Sequence, residues 1–142
     1  MNFRLVIAAL VGTAVTSLAS PAAGLAATGD VKEFPLSTAD SQPFGITKGP
    51  DGNVWFAEKG AGTPKPIGRI APDGTITEFP TATGSTPYDI TVGPDGNLWF
   101  TDQGLNEVGR ITPSGAYTGF GGLGLITPRG IATGPDAPAA TA

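Results

Sequence analysis

Two aspartate-led turns, Asp51-Gly-Asn53 and Asp95-Gly-Asn97, begin with the spacing of a calcium loop, in which hard oxygen ligands recur at alternate positions. The remaining ligands of such a loop do not follow. The turns are therefore read as structural, with Asp51, Asp73 and Asp95 bonding their own backbone a little further on. Gly119-Phe-Gly-Gly-Leu-Gly124 has the spacing of a dinucleotide loop, but that chemistry needs a helix directly after it, and Pro128 arrives where the helix would run. Trp55 and Trp99 would suit a ligand channel; each stands in an apolar run, which favours packing. Histidine and cysteine are both absent. That removes imidazole as base, shuttle or metal ligand, and removes thiolate nucleophiles, thiolate metal sites and disulfides.

The elements that position these residues are constrained by composition. The chain has 142 residues, the length of one modest domain. Gly 22 and Pro 14 make up about a quarter of it, which raises disorder or collagen. Glycine does not recur at every third residue, so collagen is excluded. The glycines and prolines fall at fixed offsets within a long repeat, which argues against disorder. Charged residues are 14% and apolar residues 39%, enough to bury a core. With Arg4 set aside, seven basic residues face twelve acidic ones, so a nucleic-acid partner is not expected.

Residues 1–27 begin Met-Asn-Phe-Arg, continue with an apolar run from Leu5 to Val15, and end in small residues. This is the pattern of a secretory signal peptide, with cleavage after Ala22 or Ala26. The apolar run is short for a bilayer span, and without cysteine no lipoprotein anchor is expected. The rival reading is a buried N-terminal helix. The expectation is an exported chain, secreted or periplasmic, with no membrane attachment once the leader is removed.

A repeat organises the remainder, residues 28–142. Pro43-Phe-Gly-Ile-Thr-Lys-Gly-Pro-Asp-Gly-Asn-Val-Trp-Phe-Ala-Glu58 aligns with Pro87-Tyr-Asp-Ile-Thr-Val-Gly-Pro-Asp-Gly-Asn-Leu-Trp-Phe-Thr-Asp102, with ten of sixteen positions identical. Ile67-Gly-Arg-Ile-Ala-Pro-Asp-Gly74 matches Val108-Gly-Arg-Ile-Thr-Pro-Ser-Gly115, and Glu33-Phe-Pro35 matches Glu78-Phe-Pro80. A third copy opens at Pro128-Arg-Gly-Ile-Ala-Thr-Gly-Pro-Asp136. The repeats run over about 31–75, 76–115 and an incomplete 116–136.

Each repeat holds four short apolar or alternating runs separated by turn residues. In the second copy these are Ile90–Val92, Leu98–Thr101, Val108–Thr112 and Tyr117–Phe120. Gly93-Pro-Asp-Gly96 and Pro113-Ser-Gly115 supply the turns, with Pro presetting φ and Gly accepting positive φ. No helical stripe survives this density of Gly and Pro. The fold expected is all-β: four-stranded antiparallel repeats forming β-propeller blades, about two full blades plus parts of others. The full blades span about 44–80 and 88–120, with an outer strand at 31–35 and an inner strand at about 129–133. The Pro-Asp-Gly turns lie at one end of each blade. At the other end the loops vary, Lys59–Pro66 being longer than Gln103–Glu107, and binding groups usually sit on such loops.

The string Gly-Ile-Thr-x-Gly-Pro-Asp-Gly-Asn-x-Trp-Phe-x-Glu, followed by Ile-Gly-Arg-Ile-x-Pro-Asp-Gly-x-Ile-Thr-Glu-Phe-Pro, closely resembles the blades of the virginiamycin B lyase (streptogramin B lyase) family over roughly 31–136. The resemblance implies a seven-bladed propeller that opens a cyclic depsipeptide antibiotic at its ester by elimination, aided by Mg²⁺. It also implies that the working groups follow the proline opening an inner strand, stand just before that proline (here Gln42, Thr86 and Thr127), or follow Trp-Phe. Carried over by position, the first place holds Phe44, Tyr88 and Arg129, and the last holds Glu58-Lys59 and Asp102-Gln103. Tyr88 is the implied catalytic residue, and Phe44, Arg129, Lys59 and Gln103 are implied ligand-binding residues. Glu58 and Asp102 are implied oxygen ligands for Mg²⁺, against the alternative that both are solvated strand ends. No position holds the histidine that later blades of the family supply.

Three readings stand side by side. The first is an exported lyase-like propeller segment without catalytic activity of its own. The second is a non-catalytic binding module of two or three blades that docks onto a partner through exposed edges or the variable loops. The partners expected of the chain are a small cyclic peptide as ligand and, by self-association, further copies of itself. The third is an Mg²⁺-dependent carbon–oxygen lyase acting within an assembly, which would need a base other than histidine.

Overall fold

The computed structural model describes residues 4–8, 31–60 and 66–134. The expected leader lies outside the described residues except for Arg4–Ala8, which form strand β1 and pair antiparallel with β2, Val31–Pro35. Among the described residues no helix is long and apolar enough to cross a membrane.

Two four-stranded antiparallel sheets follow. The first blade runs β3 (Pro43–Lys48), β4 (Val54–Glu58), β5 (Pro66–Ile70) and β6 (Ile76–Pro80) in sequence order. The second runs β7 (Pro87–Val92), β8 (Leu98–Asp102), β9 (Glu107–Ile111) and β10 (Tyr117–Phe120). The turn glycines Gly52, Gly74, Gly96 and Gly115 all take positive φ, as the Pro-Asp-Gly and Pro-Ser-Gly signals require. In the same turns, Asp51, Asp73 and Asp95 accept the N–H of Asn53, Thr75 and Asn97 at 3.2, 2.8 and 3.1 Å.

Asp51 and Asp95 do more than close their turns. Each accepts the indole N–H of the tryptophan that follows, Trp55 or Trp99, at 3.0 Å. The guanidinium of Arg69 lies over the rings of Trp55 and Phe79, and that of Arg110 over Trp99 and Phe120. Each blade therefore carries the same cross-strand row of tryptophan, arginine and phenylalanine on one face, anchored to a turn aspartate. These bonds hold the turn carboxylates below their usual range. At Asp95 the Asn97 amide and the Trp99 indole lower it most, and at Asp51 the Trp55 and Asn53 bonds outweigh its desolvation.

That face of the first blade packs on the opposite face of the second. Trp55, Ala57 and Ile67 from one, with Ile90, Leu98, Phe100 and Ile111 from the other, form the shared core, and Phe79, Val92 and Tyr117 pack against it. Burying such side chains contributes about 1.5–3 kcal/mol each, so the junction between blades is the main source of stability. Arg69 donates to the Pro113 carbonyl at 3.1 Å, and the Phe79 ring sits directly on Gly115. Phe34 of β2 approaches Gly74 in the same way. By that contact β2 stands toward the first blade as β6 stands toward the second, which is the place of an outer strand in a preceding blade.

The third copy departs from expectation. Residues 129–133 form no strand. A strand needs a backbone ladder, and blades meet by their faces rather than by ladders. Among the described residues no further strand follows to pair with this segment. It lies against β7 and β8 through individual hydrogen bonds instead.

Candidate functional site

In both inner strands the register slips just after the opening proline, between Pro43 and Ile46 and between Pro87 and Ile90. A bulge re-aims the side chains it contains. Here those side chains are Phe44 and Tyr88, whose ring centroids lie 4.0 Å apart at an interplanar angle of 38°. Phe44 is exposed and Tyr88 half-buried.

Two cations converge on this pair. Lys59 leaves the end of β4 and places Nζ 4.8 Å from the Tyr88 centroid and 5.7 Å from that of Phe44. Arg129, from the third copy, places its guanidinium carbon 5.9 Å from the Tyr88 centroid. Neither cation forms an ion pair among the described residues. Four of the residues singled out in the sequence, Phe44, Lys59, Tyr88 and Arg129, are thus brought together at the end of the blades where the loops vary. Gln103 takes the place of Lys59 in the second blade, where its N–H bonds the Thr86 carbonyl at 3.0 Å, as that of Lys59 bonds the Gln42 carbonyl at 3.2 Å. The aromatic and cationic contacts of the ring pair are those between Phe44 and Tyr88 and with Lys59 and Arg129, and Gln103 brings neither a ring nor a charge.

The two carboxylates behave differently from expectation. Neither is a solvated strand end: Glu58 is 1% exposed and Asp102 0%. Asp102 accepts the N–H of Thr86 at 2.8 Å, of Gly104 at 2.9 Å and of Leu105 at 3.1 Å, together with the Ser85 hydroxyl. Its oxygens are committed to holding the loop. Glu58 has no hydrogen-bond partner on either oxygen. Burial pushes its pKa up to about 8, repulsion from Glu78 adds to this, and the nearby Ser41 hydroxyl opposes it without reaching hydrogen-bond geometry. Glu78 itself accepts the Ser37 and Thr38 hydroxyls at 3.0 and 2.7 Å.

These residues do not fit Mg²⁺. Hard cations need several ionised oxygens converging on one point. Asp102 is saturated, Glu58 is held toward its neutral form, and the two occupy corresponding places on different blades. Among the described residues no three acidic groups gather where a metal ion would bind.

Sequence reasoning missed the polar groups that fasten the site. Thr101 and Asp89 tie the third copy to the second blade. Ser85 and Ser41 precede their loops' Thr-Pro and Gln-Pro pairs identically but meet carboxyls of different length. The signal for the first pair was the departure of Thr101 and Asp89 from Ala57 and Gly45 at the matching places.

Comparison with known proteins agrees with this blade architecture. Virginiamycin B lyase from Staphylococcus aureus superposes with a TM-score of 0.60 at 47% identity, over 65% of this chain and 31% of that one. A streptogramin B lyase structure superposes with a TM-score of 0.68 at 39% identity, over 75% of this chain and 35% of that one. A catalytically inactive form of the S. aureus protein, solved with quinupristin, matches equally well, with a TM-score of 0.60. Virginiamycin B lyases of Bordetella pertussis and Bordetella bronchiseptica are 42% and 45% identical over 52 residues. That match covers 36% of this chain and 16% of each of theirs, so the chain spans a small part of the curated relatives and about a third of the solved structures. The profile of the Virginiamycin B lyase family matches residues 16–140. With a match over most of its length and with its blades superposing on those of solved members, the chain belongs to the virginiamycin B lyase family.

Proposed function

We propose that this chain is an exported propeller segment that binds a small cyclic peptide at the Phe44–Tyr88 ring pair and does not itself carry out elimination. One observation carries the reading: Lys59 lies over both rings of the Phe44–Tyr88 pair and Arg129 over Tyr88, and neither cation forms an ion pair among the described residues. Paired rings offer an apolar platform, and two cations beside it favour a ligand that joins an aromatic group to carbonyl oxygens or a carboxylate. A cyclic peptide of the quinupristin type has that chemistry. Export is supported by Arg4, the apolar run after it and the small residues that close the leader.

The non-catalytic half of the reading rests on the side chains. Elimination requires a group that takes a proton near neutral pH. The chain has no histidine, and the acid raised toward that range, Glu58, is buried away from solvent.

The test is a titration of the purified chain with quinupristin, followed by calorimetry and by mass spectrometry of the ligand with Mg²⁺ present. Saturable binding is expected, weakened about tenfold by Tyr88→Ala or Lys59→Ala, a loss of the size expected for one charged or aromatic contact. The ligand is expected to remain cyclic. Linear product growing with protein dose would overturn the non-catalytic reading, and binding indifferent to both substitutions would overturn the site.

A further inference from the structure

Arg129 reaches Tyr88 from a segment that has no backbone ladder, so something else must fix it. The Thr101 hydroxyl, 3% exposed at the end of β8, accepts the Asp89 N–H at 3.2 Å and donates to the Arg129 carbonyl at 2.8 Å. The Asp89 carboxylate accepts the N–H of Ile90 at 2.9 Å on one oxygen and the N–H of Ile131 at 3.1 Å on the other. Two groups of the second blade thus hold the backbone on either side of Gly130. Further along, the Thr133 hydroxyl donates to the Val92 carbonyl. At the entry, Thr127 takes a φ of 44°, a costly value for a β-branched residue before proline, and its N–H is held by the Asn106 side chain at 2.8 Å.

The junction between the first two blades is built differently. Ala57 stands where Thr101 would, and Gly45 where Asp89 would. A Cβ on Gly45 would come within 2.6 Å of the Asp89 Cα and 2.8 Å of the Tyr88 carbonyl oxygen, so these inner strands meet by direct backbone approach. The polar pair occurs where that approach is replaced by a longer reach. It also consumes the carboxylate closest in sequence to Tyr88. Asp89 bonds amides and forms no ion pair with Arg129 or Lys59 among the described residues.

We infer that Thr101 and Asp89 are positioning residues that fasten residues 129–131 so that Arg129 is presented over the Tyr88 ring. The inference rests on the proposed binding role of that ring pair only for its functional meaning; the fastening itself is a property of the free chain. Thr101→Val removes the hydroxyl at nearly constant shape, and Thr101→Ser restores it.

Two readouts separate the questions. Nuclear Overhauser contacts between the Arg129 side chain and the Tyr88 ring, with amide exchange at Ile131, report the fastening without ligand. Quinupristin titration reports binding. In Thr101→Val the contacts are expected to vanish, Ile131 exchange to rise about tenfold, and binding to fall to the level of Arg129→Ala, while Trp55 and Trp99 fluorescence stays native. Thr101→Ser is expected to keep all three. Asp89→Ala is expected to expose the Ile131 amide in the same way. Persistence of the Arg129–Tyr88 contacts and of Ile131 protection in both Thr101→Val and Asp89→Ala would overturn the inference. Loss of the contacts in a chain whose wild type ignores quinupristin would support the fastening and remove the binding reading alone.

Discussion

Glu58 and Asp102 close the second strands of adjacent blades, and one additional methylene separates a carboxyl without a hydrogen-bond partner from a carboxyl with four. Both follow Trp-Phe and both face a serine two residues before an inner-strand proline. The shorter side chain reaches the loop amides of Gly104 and Leu105, and the longer one is carried into the space shared with Glu78. Identical backbone placement thus yields a loop anchor in one blade and a desolvated acid in the other.

Stability should depend on pH through Glu58. Its folded-state pKa, about 8, lies above the ordinary 4.5, so the fold favours the protonated carboxyl. That contribution is fully present below about pH 4.5 and is lost as the pH rises through 8. The melting temperature is expected to fall by several degrees between pH 5 and pH 9, and in Glu58→Gln the fall should largely vanish. Parallel slopes for the two proteins in thermal melts would refute the assignment.

Asp102→Ala should lower unfolding stability by about 3 kcal/mol, because it strands three amides and a buried hydroxyl together. Urea titration followed by tryptophan fluorescence measures the loss. A change below about 0.5 kcal/mol, the range of ordinary surface substitutions, would show that the loop does not need this anchor.

Arg69 and Arg110 hold equivalent places but should not cost the same to remove. Arg69 stacks on Trp55 and Phe79 and also bonds the Pro113 carbonyl of the next blade, whereas the buried Nε of Arg110 has no partner. Arg69→Ala is expected to cost about 1 kcal/mol more than Arg110→Ala. Equal midpoints in denaturant would show that the contact between blades adds nothing.

The isolated chain 28–142 should self-associate. Leu123 is 58% exposed and Ile126 84% exposed, and among the described residues the outer edge strand β10 has a neighbour only on the β9 side. Light scattering is expected to show species larger than a monomer, reduced by the double substitution Leu123→Lys and Ile126→Lys. A clean monomer that melts cooperatively above about 45 °C, the low end for ordinary domains, would defeat this expectation.

The blades were legible because their signals are local. Pro-Asp-Gly fixes a turn through φ preferences, and alternation around Trp-Phe fixes a strand, so eight strands fall where periodicity places them. Residues 129–133 carry the same local pattern yet form no strand, since a ladder depends on a neighbour that local sequence does not supply. The ring pair and its cations were reachable by aligning repeats, because Phe44, Tyr88 and Arg129 share one register position. The burial of Glu58 and the fourfold bonding of Asp102 were not, for they turn on how far a side chain extends into a loop of different length. The shared use of Asp51 by Asn53 and Trp55 escaped for a related reason: the turn was readable, but the indole that reaches back to it belongs to the next strand.

The slip in register after each inner-strand proline has a consequence for how such chains can diversify. It frees one residue per repeat from the ladder and turns it toward the same end of the fold, so duplicating a repeat adds one new chemical letter to that surface while copying the scaffold unchanged. Phe44 and Tyr88 stand at this slip and differ in chemistry, whereas the Trp, Arg and Phe of the cross-strand rows are the same in both blades. Selection can therefore rewrite the ligand face one repeat at a time, leaving the Trp–Arg–Phe rows that join the blades intact.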